Sequence, residues 1–254
     1  VTVLLVARGL RKRFGDLAAV DGLDLQVEEG ECVALIGPNG AGKTTALNLL
    51  SGHLLPDEGH ITFRGEDITR LPPHARVHRG LARSFQVMTV FPELTARENL
   101  LVPILARQGA ARDALRPVRA YREAEEEANS LLGDLGLREA AEAPAGSLPH
   151  GDQRRLELGI AVASRPRLCL LDEPSSGLNP LERAGLMQLV RRLADHRGVT
   201  FVVVEHDMDV VFGLANRVVV MNRGRVLAEG PPEDIRNNRE VRETYLGEEE
   251  DVSC

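Results

Sequence analysis

An apolar run, Cys32-Val33-Ala34-Leu35-Ile36, leads directly into Gly37-Pro38-Asn39-Gly40-Ala41-Gly42-Lys43-Thr44-Thr45, and the helically spaced Ala46-Leu47-Asn48-Leu49-Leu50 follows. This succession leaves the chain few choices of fold. The first run reads as a buried strand and the last as a helix, so the stretch between them is a strand–loop–helix turn of the pattern G-x-x-x-x-G-K-[ST]. Glycines at 37, 40 and 42 let the backbone turn its N–H groups inward, and a helix starting near Lys43 adds the positive end of its dipole. The product is a cradle for a polyphosphate. Lys43 would reach the outer phosphates, and the Thr44 hydroxyl is placed to ligate a magnesium ion. Of 31 basic residues only Lys12 and Lys43 are lysine, so a compact ammonium stands here against a strong arginine bias elsewhere.

Length and composition set the frame. A chain of 254 residues can bury a substantial core, and it suits one domain carrying an inserted lobe and one nucleotide site. No apolar run reaches the roughly 18 residues of a membrane span. Val1 to Val6 lacks the basic flank and cleavage site of a secretory signal and reads as a first strand, which makes the cytoplasm the expected compartment. Cys32, Cys169 and Cys254 have no metal-like spacing and suggest neither a disulfide framework nor a zinc site. A net charge of −7 argues weakly against a dedicated nucleic-acid binder.

Leu17 to Val27 alternates with a period near two, and His60 to Gly65 repeats the pattern, so antiparallel strands should surround the phosphate loop. From Phe91 to Asn129 the texture turns to Ala, Arg, Glu and Leu at helical spacing, with Pro103 and Pro117 expected to break the run. Tyr121 to Leu135 should turn Ala124, Ala128, Leu131, Leu132 and Leu135 inward and leave Glu123, Glu125, Glu126 and Glu127 mostly to solvent. Arg107, Arg112, Arg116, Arg119 and Arg122 form a basic stretch, most simply read as solubilising. Strand patterns at Arg167–Leu171, Val199–Glu205 and Arg217–Met221 then alternate with helical ones at Pro180–Asp195 and Met208–Ala215, which implies a parallel sheet covered on both faces. A hairpin through Asn222-Arg223-Gly224, a helix over Glu233–Leu246 and an acidic end, Glu248 to Asp251, complete the chain.

Asp172 and Glu173 follow directly on the run Arg167–Leu171, at the carboxyl edge of the sheet where doubly wound folds bind ligands. The phosphate loop opens at the same edge. Asp172 is suited to the Mg²⁺ shell and Glu173 to polarising a water that attacks a γ-phosphate, because phosphoryl transfer needs positioning and charge neutralisation more than covalent help.

Taken together, Gly37–Thr45, Leu168–Glu173, Leu148-Pro149-His150-Gly151-Asp152-Gln153-Arg154 and His206 resemble the nucleotide-binding subunits of ABC transporters, in order and spacing over nearly the whole chain. Lys12-Arg13-Phe14-Gly15, Gly80 to Gln86, Phe91 to Thr95, Ser176 to Pro180, Val204-Glu205-His206-Asp207-Met208 and Tyr245-Leu246-Gly247 are similar, more narrowly, to the LivG-type ATPases of branched-chain amino acid importers. The resemblance implies an α/β P-loop NTPase fold: a mainly parallel sheet flanked by helices, an N-terminal antiparallel β subdomain and an inserted helical lobe. Residues 1–87 and 164–230 would form the nucleotide-binding core, 88–163 the lobe, and 231–254 a C-terminal helix and acidic tail.

It also implies an ATP hydrolase using ATP and Mg²⁺. Gly37, Asn39, Gly40, Ala41, Gly42, Lys43, Thr44 and Thr45 would hold the phosphates, with Phe14 stacked on adenine and Val20 beside it. Thr44, Gln86 and Asp172 would hold the metal, and Glu173, His206 and Gln86 would carry the chemistry. In a head-to-tail homo- or heterodimer, Gly151 and Asp152 of one subunit would close over the phosphate loop of the other. The implied partners are permease subunits at the inner face of the membrane, a second ATPase and, indirectly, a solute-binding protein, with no nucleic acid.

The signature of the family usually reads Leu-Ser-Gly-Gly-Gln, whereas here Pro149, His150 and Asp152 replace the serine, the first glycine and the glutamine. Pro149 offers neither hydroxyl nor N–H, and Asp152 would repel a phosphate unless it points away or caps its helix. Alternatives are the ATPase of another such system, for urea or amide import or for lipopolysaccharide export, a non-hydrolysing regulatory subunit, and a nucleotide-gated clamp on nucleic acid or the ribosome. The last typically has a long coiled coil or two ATPase units, which this sequence lacks; intact Glu173 and His206 argue against the regulatory reading.

Overall fold

Every residue of Cys32–Ile36 is buried, and this strand, β3, lies inside a six-stranded sheet. The computed structural model describes residues 2–84, 90–109 and 121–246. Gln86, Met88, Arg112, Arg116, Pro117, Arg119, Cys254 and the acidic end at 248–251 lie outside the described residues. The other strands of the central sheet are β6 (Leu81–Arg83), β7 (Leu168–Asp172), β8 (Thr200–Val204), β9 (Arg217–Asn222) and β10 (Arg225–Gly230). Their order is β10-β9-β3-β8-β7-β6, parallel throughout except for the hairpin return of β10.

Alternation along the strands sends side chains to opposite faces, and each face has its own cover. Val33, Leu35, Leu168, Leu170, Val202 and Val204 share one cluster with Ala46, Leu47, Leu49 and Leu50 of α1 (Lys43–Ser51) and with the antiparallel sheet. That second sheet runs β2 (Leu17–Glu28), β1 (Val3–Phe14), β4 (Glu58–Phe63), β5 (Glu66–Asp67). On the opposite face Cys169, Leu171, Phe201 and Val203 pack with a helical lobe. Ala34, Ile36, Val218 and Val220 pack beneath the C-terminal helices. Burial pushes the Cys32 and Cys169 thiols up to about 12, so both are inert core residues.

A short helix, α2 (Pro73–His78), was not evident in the sequence, and its Arg76 is fully buried. The lobe comprises α3 (Ala96–Arg107), α4 (Arg122–Leu135) and α5 (His150–Ala163). Pro103 lies within α3 and does not break it. A capping box between Thr95 and Glu98 fixes the helix start, and buried Leu100, Leu101 and Ile104 hold the segment on both sides of the proline; packing outweighs the lost backbone bond. The inward residues of α4 are the five expected, but Glu127 departs from the solvated face: its carboxylate is clasped by Arg107 at 2.6 Å and Arg165 at 2.8 Å.

Beyond the lobe come α6 (Pro180–Arg197) and α7 (Met208–Leu214). The final helix expected over Glu233–Leu246 is divided into α8 (Pro232–Asn237), α9 (Arg239–Val241) and a wider turn at Arg242–Leu246. Asn238 causes the break, because its side chain accepts from the amides of Glu240 and Val241 and restarts the helix. Among the described residues no helix is long and apolar enough to cross a membrane.

Candidate functional site

The phosphate loop is shaped by backbone from elsewhere in the chain. Gly37 has φ +143° and lies so close to the end of β9 that a Cβ would sit 2.0 Å from the Met221 carbonyl oxygen; at Gly42, φ +102°, it would sit 2.2 Å from that of Ala19. Only glycine fits either position. Ala41 accepts from the Gly224 amide at 2.9 Å, and Gly224 in turn accepts from the Asp21 amide at 2.8 Å, so β2 and the β9–β10 turn clasp the loop.

Lys43 opens α1 with its ammonium folded back, donating to the carbonyls of Gly37 at 2.6 Å and Pro38 at 3.0 Å. Burial pushes its pKa down, while the charges of Glu173 and Asp172 pull it up. Thr44 and Thr45 are half-buried on the first turn, and Asn39 and Gly40 are exposed at the tip.

Asp172 ends β7 with a fully buried side chain. Its Oδ2 accepts from Arg83 at 2.9 Å, whereas Oδ1 is buried without a hydrogen-bond partner. Burial raises the carboxyl pKa and the arginine opposes the rise. An orphaned, oriented carboxylate oxygen, on a side chain close enough to interact with the charge of Lys43, suits a hard cation such as Mg²⁺, which uses one or two protein oxygens and takes the rest from phosphate and water. No cluster of three or more His, Cys, Asp or Glu fit for a metal occurs among the described residues.

Glu173 follows with φ +49°, a left-handed conformation that costs a non-glycine residue about 1 kcal/mol. Its amide donates to Val204 at 2.9 Å, and its Oε1 meets Nε2 of His206 at 2.6 Å. Both side chains are partly open to solvent, so a carboxylate and an imidazole confront each other at the carboxyl ends of β7 and β8.

Phe14 is 50% exposed at the end of β1, with the Lys12 ammonium 5.9 Å from its ring centroid. Val20, by contrast, is fully buried in the core beneath the loop. The signature stretch lies apart, at the start of α5. Pro149 is the N-cap and supplies no side-chain cap, and Gln153 donates to the Leu148 carbonyl at 2.8 Å. Gly151 is buried against Glu182. Asp152 neither caps the helix nor stands alone: it pairs with Arg155 at 3.6 Å. Asn179, where the superfamily commonly has aspartate, caps α6 in a reciprocal box with Glu182.

Two residues that sequence reasoning did not assign to the site belong to it. Arg83 joins Asp172 to α1 by donating also to Asn48 at 2.5 Å and Ser51 at 3.1 Å. Glu205, buried next to His206, accepts from the Ser175 amide at 2.9 Å. The available signal was a charged residue closing a short apolar run, Leu81-Ala82 in one case and Val202 to Val204 in the other.

The sequence model of the family described as ABC transporter matches residues 20–176, and that described as branched-chain amino acid ATP-binding cassette transporter matches residues 225–251. The high-affinity branched-chain amino acid transport ATP-binding protein BraF of Pseudomonas aeruginosa is 44% identical, with 96% of this chain and 98% of that protein covered. LivG of Escherichia coli K12, described in the same words, is 42% identical with the same coverage of 96% and 98%. A crystal structure of the ADP conformation of an ATP-binding cassette of an ABC transporter matches with TM-score 0.85 at 30% identity, covering 97% of this chain and 100% of that one. This chain belongs to the ABC transporter family, as one of its ATP-hydrolysing cassettes.

Proposed function

We propose that this chain hydrolyses ATP to drive import of branched-chain amino acids, from the cytoplasmic face of a membrane permease and in a head-to-tail pair with a second ATPase. The observation that carries the hydrolytic part is the meeting of Lys43, the free Oδ1 of Asp172, and the Glu173–His206 contact at one edge of the parallel sheet. The solute class is supported by the match at residues 225–251 and by the names of BraF and LivG. Since the subunit would touch the permease and never the amino acid, no residue of this site reads the solute.

Residues Gly37 to Thr45 receive the phosphates, Lys43 transferring its ammonium from loop carbonyls to phosphate oxygens. The exposed ring of Phe14 offers a platform for adenine. Thr44 and Asp172, with Gln86 from outside the described residues, would hold Mg²⁺, which when bound neutralises charge on the phosphate oxygens. Glu173 accepts the proton of the attacking water while the bond from the γ-phosphorus to the bridging oxygen breaks, releasing ADP and phosphate. His206 steadies the carboxylate at 2.6 Å and can donate to a phosphate oxygen.

The γ-phosphate side is completed by the signature of another chain. Pro149 makes the lid that this subunit offers in exchange unequal to its cradle. The test is turnover of the transporter assembled in vesicles with permeases, second ATPase and binding protein. Stimulation by leucine, isoleucine or valine is expected; stimulation by urea or an amide instead would refute the solute class. Equal turnover by the isolated chain would refute the shared site.

A further inference from the structure

His206 is the middle residue of Glu205-His206-Asp207; the Glu205 carboxylate reaches back to the segment joining β7 to α6, and Asp207 reaches it through Arg183 of α6. Oε1 of Glu205 accepts from the Ser175 amide at 2.9 Å, and Oε2 from the His206 amide at 3.3 Å. On the other side Asp207 caps α7 through the Val210 amide at 3.1 Å and pairs with Arg183, whose guanidinium also donates to the Leu178 carbonyl at 3.3 Å. Both ends of Ser175–Leu178 are therefore tied to neighbours of His206.

These bonds close a small ring. Glu173 meets His206 by side chains; the His206 amide meets Glu205; Glu205 meets Ser175; and Ser175 returns to Glu173 through Pro174. Glu205 is 3% exposed, and a carboxylate buried so deeply is costly unless hydrogen-bonded. Its oxygens take amides from the two segments that carry Glu173 and His206, so its contribution is geometric.

We propose that Glu205 is a positioning residue for hydrolysis, setting the backbone spacing that brings Nε2 of His206 onto the Glu173 carboxylate. The inference rests on the assignment of hydrolysis to Glu173 and His206. A group of this kind governs the chemical step and leaves nucleotide capture alone.

The test uses the full chain in its assembled transporter, with Glu205→Ala and the milder Glu205→Gln, which keeps an acceptor for Ser175 but turns an NH₂ toward the His206 amide. Steady-state turnover against MgATP is read beside binding of a fluorescent ATP analogue. The alanine variant should lose about tenfold or more in kcat, with KM and analogue binding within about twofold; the glutamine variant should fall between it and wild type. If the alanine variant does not fold, the glutamine variant decides: kcat within about twofold of wild type overturns the proposal, as does a loss of kcat matched by a loss of analogue-binding sites. Glu173→Gln separates the two claims. Should it keep turnover, the underlying assignment fails; should it be inactive while both Glu205 variants turn over normally, the positioning role alone fails.

Discussion

Nε2 of His206 and Oε1 of Glu173 lie 2.6 Å apart, although 33 residues separate them in sequence. The carboxylate that would take a proton from water is thus held by an imidazole that follows the neighbouring strand. Replacing Glu173 by Gln should lower kcat by about a hundredfold or more and leave nucleotide binding intact, because proton acceptance is lost while the phosphate cradle is not. Replacing His206 by Ala should lower kcat by a similar order, about a hundredfold. Steady-state hydrolysis by the assembled transporter, beside equilibrium binding of an ATP analogue, checks both.

Lys43 gives affinity a pH dependence. Burial holds its ammonium below the ordinary value of 10.5, and phosphate favours the protonated form. Above the depressed pKa of the free chain, each binding event must take up a proton, so affinity falls with rising pH, by up to about tenfold per unit. The decline should begin below the ordinary lysine range. Titration calorimetry at alkaline pH, in two buffers of different ionisation enthalpy, should report net proton uptake; Lys43→Met should bind weakly and show none.

Arg76 should prove to be a stability residue. Its guanidinium is fully buried and donates to the carbonyls of Leu49, Leu50, Thr69 and Leu71, and burial lowers its pKa to about 10. Two of those carbonyls belong to the last turn of α1, where the helix dipole welcomes a cation. Arg76→Met leaves these acceptors unsatisfied and should cost about 3 kcal/mol in urea unfolding, with little change in kcat of the folded fraction.

Pro149→Ser should act in the opposite direction. The N-cap of α5 has no side-chain cap at present, and a serine hydroxyl there would add about 1 kcal/mol to stability. It would also present a donor to a phosphate held across the dimer. A higher melting temperature, with turnover raised in the assembled transporter, is the expected result.

The parts of the site that sequence reveals are those whose logic is local. The run from Cys32 to Thr45 declares strand, loop and helix by adjacent residues, and Asp172-Glu173 declares a strand end. Arg76, Glu205 and Arg83 were not legible because each depends on a distant partner, Leu49, Ser175 and Asp172, which lie 27, 30 and 89 residues away and are brought in only by the tertiary fold. Pro103 misled because a single-residue rule was weighed without the buried face of α3. The C-terminal helix misled through Asn238, whose side chain competes for the backbone bonds of the residues after it. Val20 was legible as an inward residue from its alternation in β2, and it is fully buried.

The clasp on the phosphate loop has a consequence for synthesis. Gly37 is shaped against Met221, and Ala41 is bonded by Gly224, so the loop is finished by a turn near the far end of the chain. A nascent polypeptide that already displays Gly37 to Thr45 lacks the wall that gives those residues their form until the β9–β10 turn has left the ribosome. Prematurely terminated products would then carry the full phosphate-loop sequence without the backbone that shapes it.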